Sequence, residues 1–362
     1  MTLGRATRFA GIDLLRISAG LTLLIVHSAF WLAPLQCPYA VWQALAYFGV
    51  EVFLVSLGFL LAWRWLDDPT SSLPRGIVRR IVRLWPLYVL AVLVNLFFVG
   101  MLKIPAPDLP SYLTLTQNLA WLHPEFFPEA WIVNAAVAAT LVVALACWGL
   151  RRCRSLLAGV LIVAAMIVFA HVPRLLTNAI ADLAWDLGVR KVLVMRLDPA
   201  LYGVLVAWIW RRGYLDRSWV SASLAALGSA LLIAAAATFT GAGVDGNAFA
   251  RTGLFTITDL GFALLLPWLC QLKFSVTTAR RAAVFASTAY VGLLSHMTLL
   301  RAGYAIGMPI TADSVLQGVA IQLAYLCVAV ATAWLLWRWL DRPLRHLLGI
   351  TSTKHSPPLS ER

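Results

Sequence analysis

Ten long apolar segments recur along the chain, and they constrain its fold more than any other feature does. An apolar run of about 20 residues is long enough for one helix to cross the hydrocarbon core of a bilayer. Only 12% of the residues are charged, whereas soluble domains contain about 25%. The sequence therefore predicts an all-α, polytopic membrane helix bundle of about ten transmembrane helices. The segments run over roughly 12–33, 44–66, 81–101, 131–149, 155–171, 198–211, 219–239, 253–271, 284–306 and 315–339.

The lysine and arginine residues are distributed unevenly between the two sides of this predicted bundle. If the N-terminus is inside, most of the 29 fall in the inner segments and few in the outer loops. An excess of positive charge marks the cytoplasmic loops of membrane proteins. The bias predicts that both termini are cytoplasmic. It also accounts for the formal net charge of +13, so no nucleic-acid partner is expected.

Three ionisable residues interrupt the first apolar segment, namely Asp13, Arg16 and His27. On a helix they fall within one stripe about 60° wide, with Arg16 and His27 about 16 Å apart along it. Charged residues inside apolar spans face the protein interior or a wet cavity. We therefore predict that this stripe is a wall of an active site. The same residues break the apolar run that a cleaved signal peptide requires, which favours a retained helix.

Charged residues also mark the next two spans. Glu51 lies near the outer start of the second span, where it either faces water or positions His27 or a substrate. Arg79 and Arg80 lie about one helical turn before Arg83, on the face of the helix that carries it. These arginines either anchor the topology or form an anion cradle, because guanidinium groups bind phosphates through paired, planar hydrogen bonds.

Three short motifs follow one another over residues 12–88, and two more lie near the end of the chain. The early ones are Ile12-Asp13-x-Leu15-Arg16 with His27, Gly49-Val50-Glu51-Val52-Phe53 with Gly58-Phe59, and Arg80-x-x-Arg83-x-x-Pro86. The late ones are Ser287…Tyr290…Leu294-Ser295-His296 and Asp341-Arg342-Pro343-Leu344-Arg345. In this order they resemble the acyltransferase-3 family of integral-membrane O-acyltransferases, which modify bacterial polysaccharides and related acceptors. A weaker match to that family is Arg196-x-x-Pro199-Ala200…Gly203.

The sequence departs from the family pattern in three of its motifs. Leu57 stands where the family has serine, and Leu293 stands where it has a second tyrosine. The family's Trp-Ser-Leu-x-x-Glu run appears here as Trp131-Ile132-Val133-Asn134-Ala135-Ala136, so Ala136 replaces the acidic residue. The role of that carboxylate therefore does not carry over, which indicates a divergent subgroup with an unusual acceptor.

The resemblance implies an enzyme of the bacterial inner membrane that moves an acetyl or other acyl group from acetyl-CoA to a sugar hydroxyl. The acceptor would be a cell-surface polysaccharide, such as an exopolysaccharide, or its lipid-linked precursor, and membrane lipid would surround the bundle. Acetyl-CoA is a substrate, so no bound cofactor is expected. The five cysteines are scattered and the six histidines form no HExxH-type cluster, so no metal site is expected either.

The resemblance also assigns roles to three groups of residues. His27 is expected to be the general base, because a neutral imidazole with an ordinary pKa near 6.5 can accept a proton from a hydroxyl. The expected catalytic residues are His27, Arg16 and Asp13. The expected donor-binding residues, which would hold the phosphates of coenzyme A at the cytoplasmic mouth, are Arg79, Arg80 and Arg83. The expected substrate-binding residues are Glu51, Trp131 and His296, although His296 also fits a hydrogen-bonded packing residue.

Two other functions fit the same hydropathy pattern. A transporter or flippase of a glycan or lipid would also need many spans and buried charge. It does not account for the ordered motifs, and the repeated halves common in transporters are not visible. A membrane glycosyltransferase would require an acidic residue in an early outer loop, where only Glu51 and Asp108 are near.

The outer loops and the tail complete the predicted organisation. The outer loops at about 102–130 and 172–197 combine aromatic and acidic residues, which either bind sugars or lie at the membrane interface. Part of the first loop is expected to lie on the membrane or dip into it. The transmembrane domain is predicted to cover 1–346, followed by a polar, disordered cytoplasmic tail at 347–362.

Overall fold

The computed structural model describes residues 9–68, 71–102, 107–124, 126–180, 183–241, 243–308 and 311–348. Within these ranges the chain is helical and contains no strand. The predicted polar tail lies outside the described residues except for its first two, Leu347 and Leu348. The α-helices are α1 (Ala10–His27), α2 (Tyr39–Asp67), α3 (Leu73–Leu102), α4 (Leu109–Leu113), α5 (Ala130–Leu150), α6 (Leu156–Thr177), α7 (Pro199–Arg211), α8 (Ser218–Thr240), α9 (Ala248–Arg251), α10 (Gly253–Gln271), α11 (Val276–Ala305), α12 (Val315–Leu336) and α13 (Arg342–Leu347).

Ten helical segments of the described chain are long and apolar enough to cross a membrane, which confirms the predicted multi-pass bundle. Several predicted boundaries are wrong. Helix α3 begins at Leu73 rather than near 81, and α11 begins at Val276 rather than near 284. Both helices continue past the apolar core because the long arginine side chains near their starts can extend to water. Helix α1 ends at His27 rather than near 33, and a 3₁₀ segment, Ala29–Leu35, follows it.

Helix α2 is the central element of the bundle and packs against α1, α5, α7 and α10. Two glycines allow its backbone to touch that of α7. A Cβ atom added at Gly58 would lie 1.9 Å from the carbonyl oxygen of Ala200, and one at Gly203 would lie 2.2 Å from that of Val55. Small residues permit such close contact between membrane helices. These glycines therefore determine how α2 and α7 pack.

The segment between α3 and α5 folds back into the bundle. The carbonyl oxygen of Tyr112, in α4, accepts a hydrogen bond from the Tyr88 hydroxyl at 3.0 Å, and that of Leu113 accepts one from Trp85 Nε1 at 3.4 Å. Tyr88 lies about 20 Å before the end of α3 by the usual helical rise. Tyr88 and Tyr112 are both fully buried. The segment therefore re-enters the bundle beside the middle of α3, and the expectation that part of this loop lies on the membrane or dips into it stays a prediction.

The segment between α6 and α7 packs against this re-entrant segment. The backbone N–H of Leu193 donates to the carbonyl oxygen of Asn118 at 2.8 Å, and the Asn118 side-chain amide donates to the carbonyl oxygen of Lys191 at 2.6 Å. We call these two segments, 107–124 and 183–198, the cap. The cap brings charged residues close to the end of α1.

Candidate active site

The two histidines singled out from the sequence lie side by side, although 269 residues separate them in the chain. His27 is the last residue of α1, and His296 lies in α11, which packs along α1. His27 Nδ1 and His296 Nε2 are 2.8 Å apart, and the ring centroids are 5.0 Å apart with the rings 20° from parallel. His296 is buried and His27 is half-buried. The expected base and an expected substrate-binding residue thus form one site, which we call the histidine end of α1.

Helix α12 holds both histidine-bearing helices in place. Its Gln322 donates a hydrogen bond from Nε2 to the carbonyl oxygen of Ile25 at 3.1 Å. That carbonyl belongs to the last turn of α1 and also accepts from the backbone N–H of Ser28 at 3.3 Å, so the contact with Gln322 adds to the capping of the helix end at His27. One turn further along α12, the Tyr325 hydroxyl donates to the carbonyl oxygen of His296 at 3.2 Å.

The hydrogen bonds of His296 determine which nitrogen of each ring carries a proton. His296 Nδ1 lies 3.1 Å from the carbonyl oxygen of Gly292 and 2.9 Å from that of Leu293. A carbonyl oxygen can only accept, so Nδ1 of His296 is protonated and Nε2 of the neutral ring has the lone pair. His27 Nδ1 therefore donates to His296 Nε2, and the lone pair of His27 lies on its own Nε2. That atom is available to accept a proton from a substrate.

A carboxyl group that the sequence analysis did not select also reaches this site. Glu129, directly before α5, has a carboxylate oxygen within 4.8 Å of a ring nitrogen of His27 and of one of His296. Glu129 is 3% exposed. Burial raises its pKa to about 7, although Lys191 and two arginines act in the opposite direction. A carboxyl group that titrates near neutral pH can balance the charge of a protonated histidine. Its position two residues before Trp131 was the signal available in the sequence.

The same three groups are the ones in the described chain that could hold a metal ion. They are His27, Glu129 and His296. Two imidazole nitrogens and a carboxylate oxygen suit several divalent metals. The 2.8 Å contact between the two histidines already satisfies the facing nitrogens with a hydrogen bond. A metal ion would have to displace that bond.

The cap places charged and aromatic groups near the histidine end. Asp186 pairs with Arg190 at 2.5 Å and with Lys191 at 2.7 Å. Burial raises the pKa of Asp186, but the two cations outweigh burial and hold that pKa below its usual value. Arg190 also lies over the ring of Trp131, 5.2 Å from its centroid. Trp131 is buried and belongs to the same apolar cluster as Leu23, one turn before the end of α1.

At the opposite end of α1, arginine side chains from three helices come together. Arg16 and Arg345 act electrostatically on Arg80. The same two residues act on Arg83. We call these four residues, from α1, α3 and α13, the arginine cluster. Two of the three expected donor-binding residues therefore belong to one site.

Arg79, the third expected donor-binding residue, lies apart from the arginine cluster. It is not among the charges that act on Arg80, and its side chain is exposed. Arg79 lies four residues before Arg83, a spacing that shares a helix face, but it is not among the charges that act on Arg83 either. The prediction that Arg79 shares one site with Arg80 and Arg83 is therefore wrong: Arg79 flanks Arg83 on the side away from Arg80, where its side chain is exposed.

The sequence matches the family model of an acyltransferase domain over residues 9–338, nearly the whole chain. The chain belongs to the acyltransferase-3 family. It is therefore a multi-pass membrane acyltransferase. No curated protein and no solved structure matches it. The matched range includes the histidine pair and Glu129 but ends before Arg345.

The three residues expected to be catalytic lie at different ends of α1 in this acyltransferase-3 domain. His27 is at the histidine end, and Arg16 acts on the arginine cluster. Asp13 lies one turn before Arg16 and is 5% exposed. The structure thus places Asp13 and Arg16 together at the arginine end, while His27 meets His296 and Glu129.

Glu51 pairs with a residue of another acyltransferase-3 motif. Both of its carboxylate oxygens accept hydrogen bonds from Arg196 Nη2, and both side chains are fully buried. The Arg196 guanidinium also lies over the Phe255 ring of α10, 4.5 Å from its centroid. The described contacts of Glu51 therefore join α2 to the segment before α7 and to α10, rather than reaching the histidine end.

A cavity lies between α3 and α5. Its volume is about 380 Å³, and its lining is mostly apolar, with Asn134 as a polar contributor. On α3 it is lined by Ile81 and Trp85, and the cap contributes residues 113–115 and Leu193. Leu193 belongs to the apolar cluster of Trp131. The cavity thus lies between α3, α5 and the cap, and its lining in the described chain includes neither the histidine pair nor the arginine cluster.

Proposed function

We propose that this protein is an O-acetyltransferase of the bacterial inner membrane. It transfers an acetyl group from acetyl-CoA to a sugar hydroxyl of a cell-surface polysaccharide or of its lipid-linked precursor. The observation that carries the proposal is the contact of His27 with His296, because it leaves the lone pair of His27 on Nε2. A base in this tautomer, held by a second imidazole, suits the deprotonation of a hydroxyl.

In the proposed reaction, His27 Nε2 takes the proton of the acceptor hydroxyl while the hydroxyl oxygen attacks the thioester carbonyl. A C–O bond forms and the C–S bond breaks. The proton passes from His27 to the departing sulfur of coenzyme A. While His27 is protonated, its hydrogen bond to His296 becomes charge-assisted and stronger. The ionised carboxylate of Glu129, within 4.8 Å, lowers the energy of this cation.

The arginine cluster is the proposed donor site. Coenzyme A carries its phosphates at one end and the thioester at the end of a long, flexible arm. Arg16, Arg80 and Arg83 bind the phosphates, because guanidinium groups match phosphate geometry with paired hydrogen bonds. The arm then runs between the helices toward His27, at the other end of α1. The excess of positive charge on this side supports its cytoplasmic orientation, where the donor is made.

The acceptor enters from the cap in this proposal. Trp131 supplies an aromatic ring and Asp186 supplies a carboxylate, and sugars bind to both kinds of group. Arg190, which contacts both of these side chains, connects them into one surface. Glu51 contributes by holding α2 in place, because Arg196 engages both of its oxygens.

Replacing His27 by alanine tests the proposal. His27→Ala should abolish O-acetyl transfer while the protein still inserts into the membrane. The measurement is the O-acetyl content of cell-surface glycans in cells with the wild-type gene, without it, and with the variant. His346→Ala is the matched control, because His346 is an exposed histidine on α13.

Full O-acetylation with His27→Ala would contradict the role of His27 as the base. If deletion of the gene left O-acetyl content unchanged but removed a surface glycan, the result would favour a transporter or flippase instead.

A further inference from the structure

The last span ends in an irregular turn. Trp337–Asp341 form a π-helical segment, and α13 begins at Arg342. Pro343 explains this turn, because it lacks the N–H of an α-helical hydrogen bond and its ring would collide with the carbonyl four residues earlier. A π-helical turn accommodates the mismatch, and such turns are frequent at functional sites. Asp341 is buried here, at 3% exposed, whereas Arg342 is exposed.

Asp341 connects α13 to the arginine cluster. It forms an ion pair with Arg345, one turn later in the chain. It also acts electrostatically on Arg83. The side chain of Arg345 is 15% exposed, so a ligand can reach it. Both residues lie beyond 338, where the match to the acyltransferase domain ends.

Among the described residues at the arginine cluster, guanidinium groups outnumber the carboxylates that act on them. Arg80, Arg83 and Arg345 are three guanidinium groups, and Asp341 is the carboxylate that acts on Arg83 and pairs with Arg345. One carboxylate cannot neutralise three guanidinium groups. Like charges held together away from bulk water are destabilising until an anion balances them. The imbalance matches a ligand with about two negative charges, such as a diphosphate.

We propose that Arg345 binds the diphosphate of the acyl donor and that the Asp341 carboxylate occupies Arg345 until the donor displaces it. The assignment rests on the proposed function, because it takes acetyl-CoA as the donor. Donor binding exchanges one anion for another, so the charge of Arg345 is paired in both states. Asp341 weakens donor binding, because its carboxylate competes for Arg345 and repels the incoming phosphates.

Binding of coenzyme A to the purified full-length protein in lipid nanodiscs tests the assignment without requiring activity. Calorimetry gives the Kd. Arg345→Gln should weaken binding about tenfold or more, because charge-assisted hydrogen bonds to phosphate are lost. Arg345→Lys should cause a smaller loss, since lysine keeps the charge but not the paired donors. Arg342→Gln removes the exposed arginine three residues earlier and should leave the Kd unchanged.

The decisive variant is Asp341→Asn, which should tighten the binding of coenzyme A because the competing carboxylate is gone. If the ion pair only stabilised α13, Asp341→Asn would weaken binding as Arg345→Gln does, and the assignment would be overturned. Equal Kd values for wild type, Arg345→Gln and Arg345→Lys would also overturn it, while leaving the proposed function intact. A wild-type protein that bound no coenzyme A would contradict the proposed function itself, together with this assignment.

Discussion

The two ends of α1 hold sites of opposite electrostatic character. At the histidine end, His27 and His296 satisfy each other through one hydrogen bond of 2.8 Å. At the arginine end, the described groups include three guanidinium groups, those of Arg80, Arg83 and Arg345, with the carboxylate of Asp341, which leaves an excess of positive charge. One site is complete without a ligand, whereas the other is completed by an anion. The comparison teaches that a single helix connects a place for proton transfer to a place for holding a charged donor.

The largest effect that tests this division is expected at His27. His27→Ala should lower kcat by about 10²–10⁴-fold, as the loss of a general base does. The Kd for coenzyme A should not change, because the arginine cluster lies at the other end of α1. Acetyl-transfer assays and calorimetry on the purified protein measure the two quantities. If His27→Ala had a normal kcat but bound coenzyme A more weakly, the assignment of proton transfer and donor binding to the two ends would have to be reversed.

The opposite pattern is expected for the arginine cluster. Arg83→Gln should raise the KM for acetyl-CoA about tenfold or more through the loss of charge-assisted hydrogen bonds, with little change in kcat. Steady-state kinetics with varied acetyl-CoA measure both constants. Arg79→Gln is the matched control, because Arg79 is exposed and is not among the charges that act on Arg80 or Arg83. If Arg79→Gln raised KM as much as Arg83→Gln, the cluster would not be the donor site.

A moderate effect is expected at Glu129. Glu129→Gln should lower kcat about tenfold, because a carboxylate close to His27 no longer stabilises its protonated form. In the wild type this contribution should grow as pH rises through about 7, the pKa to which burial raises Glu129. The ratio of wild-type to variant kcat should therefore increase with pH when it is measured between about pH 6 and about pH 8. A constant ratio would show that the charge of Glu129 does not act on the reaction.

Glu129 also predicts how stability depends on pH. Burial raises the folded-state pKa of Glu129 to about 7, so the folded protein holds a proton that the unfolded chain has released. Stability is then lost as pH rises from the ordinary glutamate pKa to about 7. The thermal unfolding midpoint of the wild type should fall more than that of Glu129→Gln over this range.

Burial lowers the pKa of His123 to about 4, so His123 makes stability rise with pH, opposite to the effect of Glu129. This contribution is the same in the wild type and in Glu129→Gln. His123 therefore cancels in the comparison of wild type with Glu129→Gln. Differential scanning fluorimetry measures the two midpoints. Parallel curves would contradict the raised pKa of Glu129.

The smallest effect is expected from metal removal. Because His27 and His296 already satisfy each other, dialysis against a chelator should leave kcat unchanged. Activity that was lost on chelation and restored by a divalent ion would place a metal on His27, Glu129 and His296. The histidine end would then need a ligand too, and the contrast between the two ends would disappear.

The fold could be predicted from hydropathy because each span must be apolar over the thickness of the bilayer. The start of α3 could not be predicted from hydropathy. Arginine counts against a span in a hydropathy profile, but the helix itself continues to Leu73 because its backbone hydrogen bonds are formed within the helix. Arg80 and Arg83 lie together as their spacing implies, but the same spacing rule also put Arg79 beside Arg83, and only the packing of α3 against its neighbours shows that Arg79 stays exposed.

The candidate site was only partly predictable. The sequence singled out His27 and His296, but their contact depends on how α1 and α11 pack, which no local pattern encodes. Glu129 was not selected because it lies in a proline-rich loop without periodicity, and the return of that loop into the bundle is what buries it. Arg345 was quoted as the end of the last motif but was given no role, because its neighbours in the cluster come from distant helices.

The backbone contact between α2 and α7 limits where the bundle can open. Neither helix can slide past the other without a carbonyl oxygen striking the backbone at Gly58 or Gly203. The axial register between α2 and α7 is therefore fixed while substrates bind and leave.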